Sequence, residues 1–591
     1  MAETSTARPK GGSFLIQQID PEATFTPEDF SEEQRMIAQT TRDFLEGEVL
    51  PQLERIEHKD FDATIELMRK AGELGLLSVS IPEQYGGLEL DQACAMLVSE
   101  HLAKCGSFAV SHGGHTGIGS LPIVYFGTPE QKEHYLPKLA TGELLAAYAL
   151  TEASSGSDAL AAKATAVLEG DEWVLNGEKM WITNAAFADV FITFAKVDGE
   201  HFSCFIVEKS DAGVSTGKEE QKMGIEGSST RTLILESARI PKSRLLGEIG
   251  KGHKIAFNIL NIGRFKLGAG AIGAARACLD DSVKYASERQ QFGKPISSFG
   301  AIQQMIANMA IGIWVGESMV YRTAGLIDQA LADVDKSDPQ AVLKEIEEYA
   351  IECSIIKVSG SETLDRIVDD GVQIYGGYGY SKEYPVERYY RDSRINRIFE
   401  GTNEINRMLI PGMLVKRAQK GELPLLQAAK KIQDELLEPP SFEDEETGVL
   451  VAETKLIEGF KKLALLVSGV AVQKFLMSLQ EQQEVLLGIS DIIQDVYAAE
   501  SALLRAKKLI AAKGEAGAKL QILATQVFVN DAADRIEVLA RNTLASAAEG
   551  DELRTMLAAA RRFTKRVPVD PVKPRREVAQ AQIEAGKYCL S

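Results

Sequence analysis

The sequence predicts a mainly α protein with a central β domain. Apolar residues recur at three- and four-residue spacing from Thr26 to about Gly142, and again in long pieces from Gly252 onward, which is the period of an amphipathic helix. Between these stretches, from about Tyr148 to Leu246, the pattern changes to short runs, WVLNGEK, VFITFAKV, FSCFIVEK and TLILES, parted by Gly, Asp and Asn turns. A linker signal follows later: LEPPSFEDEETG, residues 437–448, joins two prolines to an acidic cluster.

These breaks divide the chain into an N-terminal extension 1–25, a helical domain 26–147, a β domain 148–250, a second helical domain 251–430, the linker 437–448 and a C-terminal helical domain 449–591. At roughly 150 residues per unit, 591 residues accommodate them. In the first domain, SEEQRMIAQTTRDFLEGEVL and ATIELMRKAGELG carry the helical repeat. The uncharged stretch Cys105–Pro129 is too rich in Gly, Ser and His to span a bilayer. Leu463–Gln473, between Lys462 and Lys474, is too short to cross and is expected at most to lie on a surface.

A formal charge of −20 argues against a nucleic-acid partner, because phosphate binding is driven by Lys and Arg. The six cysteines form no CxxC pair and suggest neither a zinc site nor a disulfide framework. The first residues lack a charged start followed by an apolar core, so the cytoplasm is the expected compartment. Arg561, Arg562, Lys565, Arg566, Lys573, Arg575 and Arg576 cluster among prolines and are read as a solvated surface facing a partner or membrane.

Several motifs do not carry chemistry. Gly268, Gly270 and Gly273 spell GxGxxG, but the residues before them have helical rather than strand periodicity, so close helix packing is the expected role. GEIGKGHK lacks the Walker spacing and is read as a turn entering a helix. His112 and His115 stand at ligand spacing without a third ligand nearby, and a structural role is expected; no metal is predicted.

The chemistry is expected at Glu400. Arg391–Phe399 reads as a helix or extended turn, Gly401 breaks it, and Thr402 can cap the helix that follows, leaving Glu400 at an exposed corner. A lone Glu before a helix is ordinarily a solvated charge, so the assignment depends on what else the chain supplies. Tyr148-Ala-Leu-Thr151-Glu-Ala-Ser-Ser-Gly156-Ser157-Asp158 offers hydroxyls and backbone N–H groups to an anionic ligand. Trp181 and Thr183 give an aromatic wall with a hydroxyl two residues on. Arg289, Gln291 and Phe292 place a guanidinium beside an aromatic ring, and Gln373 with Gly376 and Gly377 adds an amide and close backbone approach.

In this order and over these distances, YALTEASSGSD, KMWITN, RQQFGKPI, QIYGGYGYSKEYPVERYYRD and IFEGTNEI closely resemble the acyl-CoA dehydrogenase family, across roughly residues 30–425. The extra C-terminal region makes the chain resemble the very-long-chain branch and its bacterial relatives. The resemblance implies a helical N-terminal domain, a β-barrel-like middle domain and a four-helix domain, with FAD held between the last two and across a homodimer interface. By matching position, Tyr148, Thr151, Ser157, Trp181 and Thr183 would line the flavin and its pyrophosphate. Arg289, Gln291, Phe292, Gln373, Gly376 and Gly377 would come from the partner subunit to the ADP half, and Thr402 and Asn403 would meet the cofactor beside Glu400. Ala153 stands where the family very often has Pro.

The implied reaction is dehydrogenation of an acyl-CoA, expected to be long-chain, to a trans-2-enoyl-CoA in fatty acid β-oxidation, with electrons passing to an electron-transfer flavoprotein. Glu400 would take the α proton while its own N–H and a ribityl hydroxyl polarise the thioester carbonyl and flavin N5 accepts the β hydride. Burial should raise the pKa of that carboxylate. Branches that carry the base on another helix place it where this chain has Gly263. Asn261, Arg264, Ser157 and Gly401 match substrate-side positions, although Asn261 departs from the Asp of medium-chain relatives. Gly114, Gly117 and Gly119 are read either as lining a deep acyl tunnel or as loose helix packing or turns. An acyl-CoA oxidase would differ by forming hydrogen peroxide without an added acceptor, and a non-catalytic assembly or nucleic-acid-associated member by failing to turn over palmitoyl-CoA. For the C-terminal domain, the expected roles are covering the dimer, docking a partner or touching a membrane.

Overall fold

A computed structural model describes residues 8–336, 338–437 and 448–591. Apart from its two end residues, the predicted linker 437–448 lies outside the described residues.

The N-terminal domain consists of α1 (Glu32–Phe44), α2 (Leu53–Glu57), α3 (Phe61–Glu73), α4 (Gln92–Leu102), α5 (Gly106–Gly113), α6 (Leu121–Phe126) and α7 (Pro129–Thr141). Its helix starts follow capping chemistry. Ser31 and Gln34 form a capping box on α1, Thr128 and Gln131 one on α7, and Asp91 caps α4. A π-helical turn, Gly114–Gly119, joins α5 to α6.

The β domain is one mixed sheet. It comprises β1 (Ala146–Ala149), β2 (Thr165–Glu169), β3 (Glu172–Thr183), β4 (Val190–Val197), β5 (His201–Glu208), β6 (Val214–Thr216), β7 (Thr230–Pro241) and β8 (Leu245–Leu246). The path runs β6-β7-β3-β2-β4-β5-β8, and β1 pairs with β4 in parallel. Its own core includes Trp173, Leu175, Phe191, Phe205 and Val207.

The second helical domain is built on α8 (Gly252–Glu288), α9 (Gly300–Ala332), α11 (Ala350–Tyr375) and α13 (Asn403–Gln419), with the shorter α10 (Pro339–Glu348) and α12 (Pro385–Ser393) between them. The GxGxxG glycines lie inside α8 and serve helix contact. A Cβ on Gly268 would stand 2.2 Å from Ile356 Cγ2 of α11, and one on Gly273 would stand 1.9 Å from the Glu100 carbonyl of α4. Lys251 immediately precedes α8, as the turn reading expected.

The C-terminal domain comprises α14 (Leu425–Leu437), α15 (Val451–Phe475), α16 (Gln483–Gly517), α17 (Lys519–Ala547), α18 (Gly550–Phe563) and α19 (Lys573–Ala585), with α16, α17 and α19 packed against α9. Two sequence expectations change here. Leu463, Leu465, Leu466, Val467 and Val470 are core residues of α15 and not a surface run. The stretch Val451–Glu481 has the length and composition to cross a membrane, but its helix packs against α16 and α17. Arg566 and Arg575 of the basic cluster pair with Asp534 and Asp531 of α17, which takes them out of a purely solvated surface.

Residues 8–25, read as an extension, are tied into the body of the protein. The Gly12 N–H donates to Glu352 at 2.7 Å, Tyr349 Oη donates to the Pro9 carbonyl at 2.9 Å, and Phe14 packs on Tyr497 of α16. At the seam between α9 and the C-terminal bundle, Arg505 is enclosed by Glu28, Glu317 and the face of Trp314, while Arg322 pairs with Glu500 at 2.7 Å. Charges this deeply buried persist because each has a partner.

Candidate active site

After α12, a 3-10 turn at Arg394–Arg397 brings the chain to Phe399. Glu400 then takes φ 59° and Gly401 φ 81°. A left-handed conformation is natural for glycine, but for glutamate it carries strain of about 1–3 kcal/mol. Thr402 caps α13 as predicted, its hydroxyl accepting from the Ile405 N–H at 3.3 Å.

The turn is held by its carbonyls. Arg264 Nε donates to the Glu400 carbonyl at 3.2 Å, Lys357 Nζ donates to that of Gly401 at 2.7 Å, and Asn406 Nδ2 reaches Gly401 at 2.8 Å and Thr402 at 3.0 Å. These donors are anchored in turn. Arg264 also donates to Asn261 Oδ1 at 3.0 Å, and Lys357 to Asn403 Oδ1 at 2.7 Å. The Asn403 amide donates to Ser361 and Glu362, each at 3.1 Å. The side chains of Asn261, Thr402 and Asn403, expected at substrate or cofactor, are thus engaged in building the turn.

The exposed corner expected for Glu400 is not what the structure shows. Positive φ swings the side chain inward, and Oε2 is buried without a hydrogen-bond partner. Burial pushes the carboxyl up to about 7, against the pull of Arg264 and Lys357. Burial likewise lowers Lys357 to about 7, with Glu400 opposing the shift.

Glu400 faces a cavity of about 210 Å³. One wall is the α8 face that carries Gly263, Lys266, Leu267, Gly270 and Ala274; the other includes Leu102, Val110, Gly114 and Gly117. A Cβ on Gly263 would lie 2.6 Å from Glu400 Oε2, so the missing side chain makes room for the carboxylate. Gly114 and Gly117 line the cavity, whereas a Cβ on Gly119 would strike Ala146 Cβ at 2.8 Å. Gly114 and Gly117 thus border the cavity space, while Gly119 is a packing position against β1. His112 and His115 brace the wall: His112 Nε2 lies 3.0 Å from the Leu76 carbonyl, and His115 lies 3.0 Å from both the Leu139 carbonyl and the Ala146 N–H. Burial pulls them down to about 3 and about 4, which keeps both neutral. Among the described residues no group of three or more His, Cys, Asp or Glu is placed to hold a metal ion.

Thr183, at the end of β3, joins the same cavity. The β3–β7 register slips between Lys179 and Ile182, and Trp181 sits in this bulge at φ 62° with 55% of its surface exposed. Tyr148 is buried on β1 with no partner for its hydroxyl. The Met180 N–H donates to the Thr151 carbonyl at 2.8 Å, tying the bulge to the hydroxyl-rich loop on which Ser157 is exposed.

The remaining predicted residues gather elsewhere. Arg289, Gln291, Phe292, Gly376 and Gly377 line a second concavity that shares no residue with the first, and Gln373 is exposed in the last turn of α11. Phe292 tips the hairpin of β9 (Gln290–Gln291) and β10 (Lys294–Pro295), is 92% exposed, and lies near Phe299; Arg289 rests over the Tyr378 ring at 5.1 Å.

Family comparisons match residues 31–143, 147–238 and 250–413 to the acyl-CoA dehydrogenase N-terminal, middle and C-terminal domains, and residues 459–562 to a further acyl-CoA dehydrogenase C-terminal domain. A probable acyl-CoA dehydrogenase of Bacillus subtilis (strain 168) is 53% identical, covering 100% of both chains. The chain belongs to the acyl-CoA dehydrogenase family. A crystal structure of acyl-CoA dehydrogenase complexed with FAD from Bacillus anthracis matches with a TM-score of 0.97 and 54% identity, over 98% of this chain and 100% of that one. A chain from a structure titled electron transferring flavoprotein of Acidaminococcus fermentans matches with a TM-score of 0.60 and 38% identity, over 65% of this chain and 98% of that one.

The present chain shares its family with that FAD-complexed structure. Its residues fit a flavin on structural grounds. Among the described residues the Tyr148 hydroxyl and the Glu400 Oε2 are buried without a hydrogen-bond partner, and the Trp181 ring is half-exposed, which leaves two polar atoms and a flat face for a ligand. Sequence reasoning missed the supports of this site. Lys179 is fully buried and donates to Glu152 at 2.7 Å, while Glu152 also accepts from the N–H groups of Lys163 at 2.6 Å and Ala164 at 3.0 Å, shaping the loop between them. Lys357 and Asn406 were missed as well. Both lie in helical stretches where a polar residue reads as surface, and only the fold turns them inward.

Proposed function

We propose that Glu400 abstracts the α proton of an acyl-CoA bound in the cavity between α8 and the N-terminal domain. The observation that carries this reading is a carboxyl at about 7 whose Oε2 is buried and unpartnered, facing a partly open, largely apolar cavity. A base poised near neutrality meets the demand of taking a weakly acidic proton. Bound FAD supplies the acceptor for the β hydride. Arg264, Lys357 and Asn406 hold the turn that carries the base, and the apolar walls would let a bound acyl chain displace water from it. The Glu400 N–H is the group that would polarise the thioester carbonyl. Tyr148, Thr151, Ser157, Trp181 and Thr183 would contact the flavin side, with the backbone of Gly401 and Thr402 beside it.

Arg289, Gln291, Phe292, Gln373, Gly376 and Gly377 would complete the FAD site of a second copy, so the active form would be a homodimer. Their separation from the Glu400 cavity within one chain supports this. The product would be a trans-2-enoyl-CoA, made during fatty acid β-oxidation in the cytoplasm, and electrons would leave to an electron-transfer flavoprotein. Resemblance to the very-long-chain branch favours long acyl chains, and the small α8 residues Gly263, Gly270 and Ala274 favour a deep cavity. Anaerobic flavin bleaching across a series of acyl-CoA lengths tests the reading. Bleaching that is lost in Glu400→Gln supports it, and normal bleaching in that variant overturns it.

A further inference from the structure

The acyl cavity contains a cation that the proposed chemistry does not use. Along α8, Lys266 follows Gly263 by three residues, which places it on the cavity face ~4.5 Å further along the helix than the residue abutting the Glu400 carboxylate. Its amine stands over Gly117: a Cβ built there would lie 3.8 Å from Lys266 Cδ and 4.0 Å from Nζ. Among the described residues Lys266 makes no hydrogen bond, ion pair or ring contact.

Its surroundings offer nothing to pair with it. His112 and His115 are neutral and committed to backbone groups. The Glu400 carboxylate answers to Arg264 and Lys357. Asp392, the other carboxyl on the wall, accepts the Ile225 N–H and lies in the field of Arg388 and Arg391. Burial alone pulls Lys266 down to about 8, so it stays largely protonated at neutral pH.

Lys266 is partly buried, and a lysine set into a largely apolar wall ordinarily has a pair. A plain alkyl chain running past it would strip its remaining water and return no hydrogen bond. A carboxylate would return a charge-assisted one. We propose that Lys266 selects thioesters whose acyl chain carries a carboxylate a few carbons beyond Cβ, the CoA monothioesters of dicarboxylic acids. This rests on the cavity being the acyl site, and it adds chain chemistry to the question of chain length.

The test uses the Glu400→Gln holoenzyme, in which binding is read from the shift of the flavin spectrum without turnover. CoA monothioesters of dicarboxylic acids of about six to twelve carbons are titrated against unsubstituted acyl-CoAs of equal length. At the length that reaches Lys266, the carboxylated ligand is expected to bind about tenfold tighter, or 1.4 kcal/mol. Adding Lys266→Met should abolish that preference and tighten binding of the alkyl ligands. Lys266→Arg should keep the preference, and Lys266→Gln serves as a second neutral variant should the methionine protein lose FAD. If alkyl thioesters bind and carboxylated ones gain nothing at any length, the inference falls alone. If no thioester perturbs the flavin, the acyl-site reading falls with it.

Discussion

Gly263→Ala offers a sharp test, because the structure makes stability and activity move in opposite directions. The new methyl would stand 2.6 Å from Glu400 Oε2, 2.8 Å from Cδ and 2.9 Å from Oε1, where ordinary contact begins near 3.4 Å. The carboxylate must therefore withdraw by about 0.8 Å, and it can, because it is the free end of a side chain. Gly263 lies inside α8 without positive φ, so alanine suits the backbone and gains up to ~1 kcal/mol of helix propensity. Displacing a reacting group by about 1 Å can cost ~10²-fold in rate. The variant should bind FAD normally and unfold at the same or higher temperature. Its anaerobic flavin bleaching at saturating acyl-CoA should be slower by roughly 10- to 10²-fold. A bleaching rate within about twofold of the parent would refute the placement of the base against Gly263.

The remaining expectations concern charge and assembly. Bleaching should rise with pH through about 7 as Glu400 ionises; Lys357→Met removes a cation that favours ionisation and should move that rise to higher pH, while Lys357→Arg largely restores it. An unshifted profile in a folded Lys357→Met protein would remove Lys357 from any role in tuning the base. Glu400 also links stability to pH. Its folded pKa of about 7 lies above the ordinary 4.5, so the stability it contributes is fully present below 4.5 and is lost as pH rises through 7. Glu400→Gln should therefore unfold like the parent below pH 4.5 and be more stable above pH 7, by up to ~3 kcal/mol at 1.36 kcal/mol per pKa unit. Equal melting temperatures at pH 8 would contradict an enclosed carboxylate. For the homodimer, a chain carrying Arg289→Ala and Phe292→Ala and a chain carrying Glu400→Gln should each be inactive alone. Co-refolded, they should regain turnover through one intact site per hybrid; no recovery in a dimer shown to contain both chains would count against shared sites.

Much of this was legible in the sequence because the signals are local. Helical period, strand alternation and the Thr402 cap depend on neighbours a few residues apart, and the structure places them as read. The motif loops were legible for a similar reason: each is a short run whose backbone must turn, as at Trp181, Phe292 and Gly376. What the sequence hid depends on distant partners. Lys179 meets Glu152 across the loop, Lys357 meets Gly401 from another helix, and α15 loses its surface role because α16 and α17 cover it. The inward turn of Glu400 belongs to the same class, since a local reading has no reason to give glutamate a positive φ.

That turn also explains how one carboxylate can be both fixed and reactive. A side chain held by hydrogen bonds to its own oxygens would be well oriented, but each donor would stabilise the anion and lower its basicity. Here the donors go to the backbone instead. Arg264 and Asn406 engage the Glu400 carbonyl, Lys357 and Asn406 that of Gly401, and Oε2 is left without a partner. Strain of about 1–3 kcal/mol at the left-handed residue is sustained because several buried donors determine the conformation together. Orientation thus comes from the main chain and basicity from burial, so the two can be altered separately. Asn406→Ala should loosen the turn and lower the rate with little movement of the pH profile, whereas Lys357→Met should move the profile as well. Stopped-flow bleaching between pH 5.5 and 9 distinguishes the two variants, and identical pH shifts in both would mean that position and basicity share one cause.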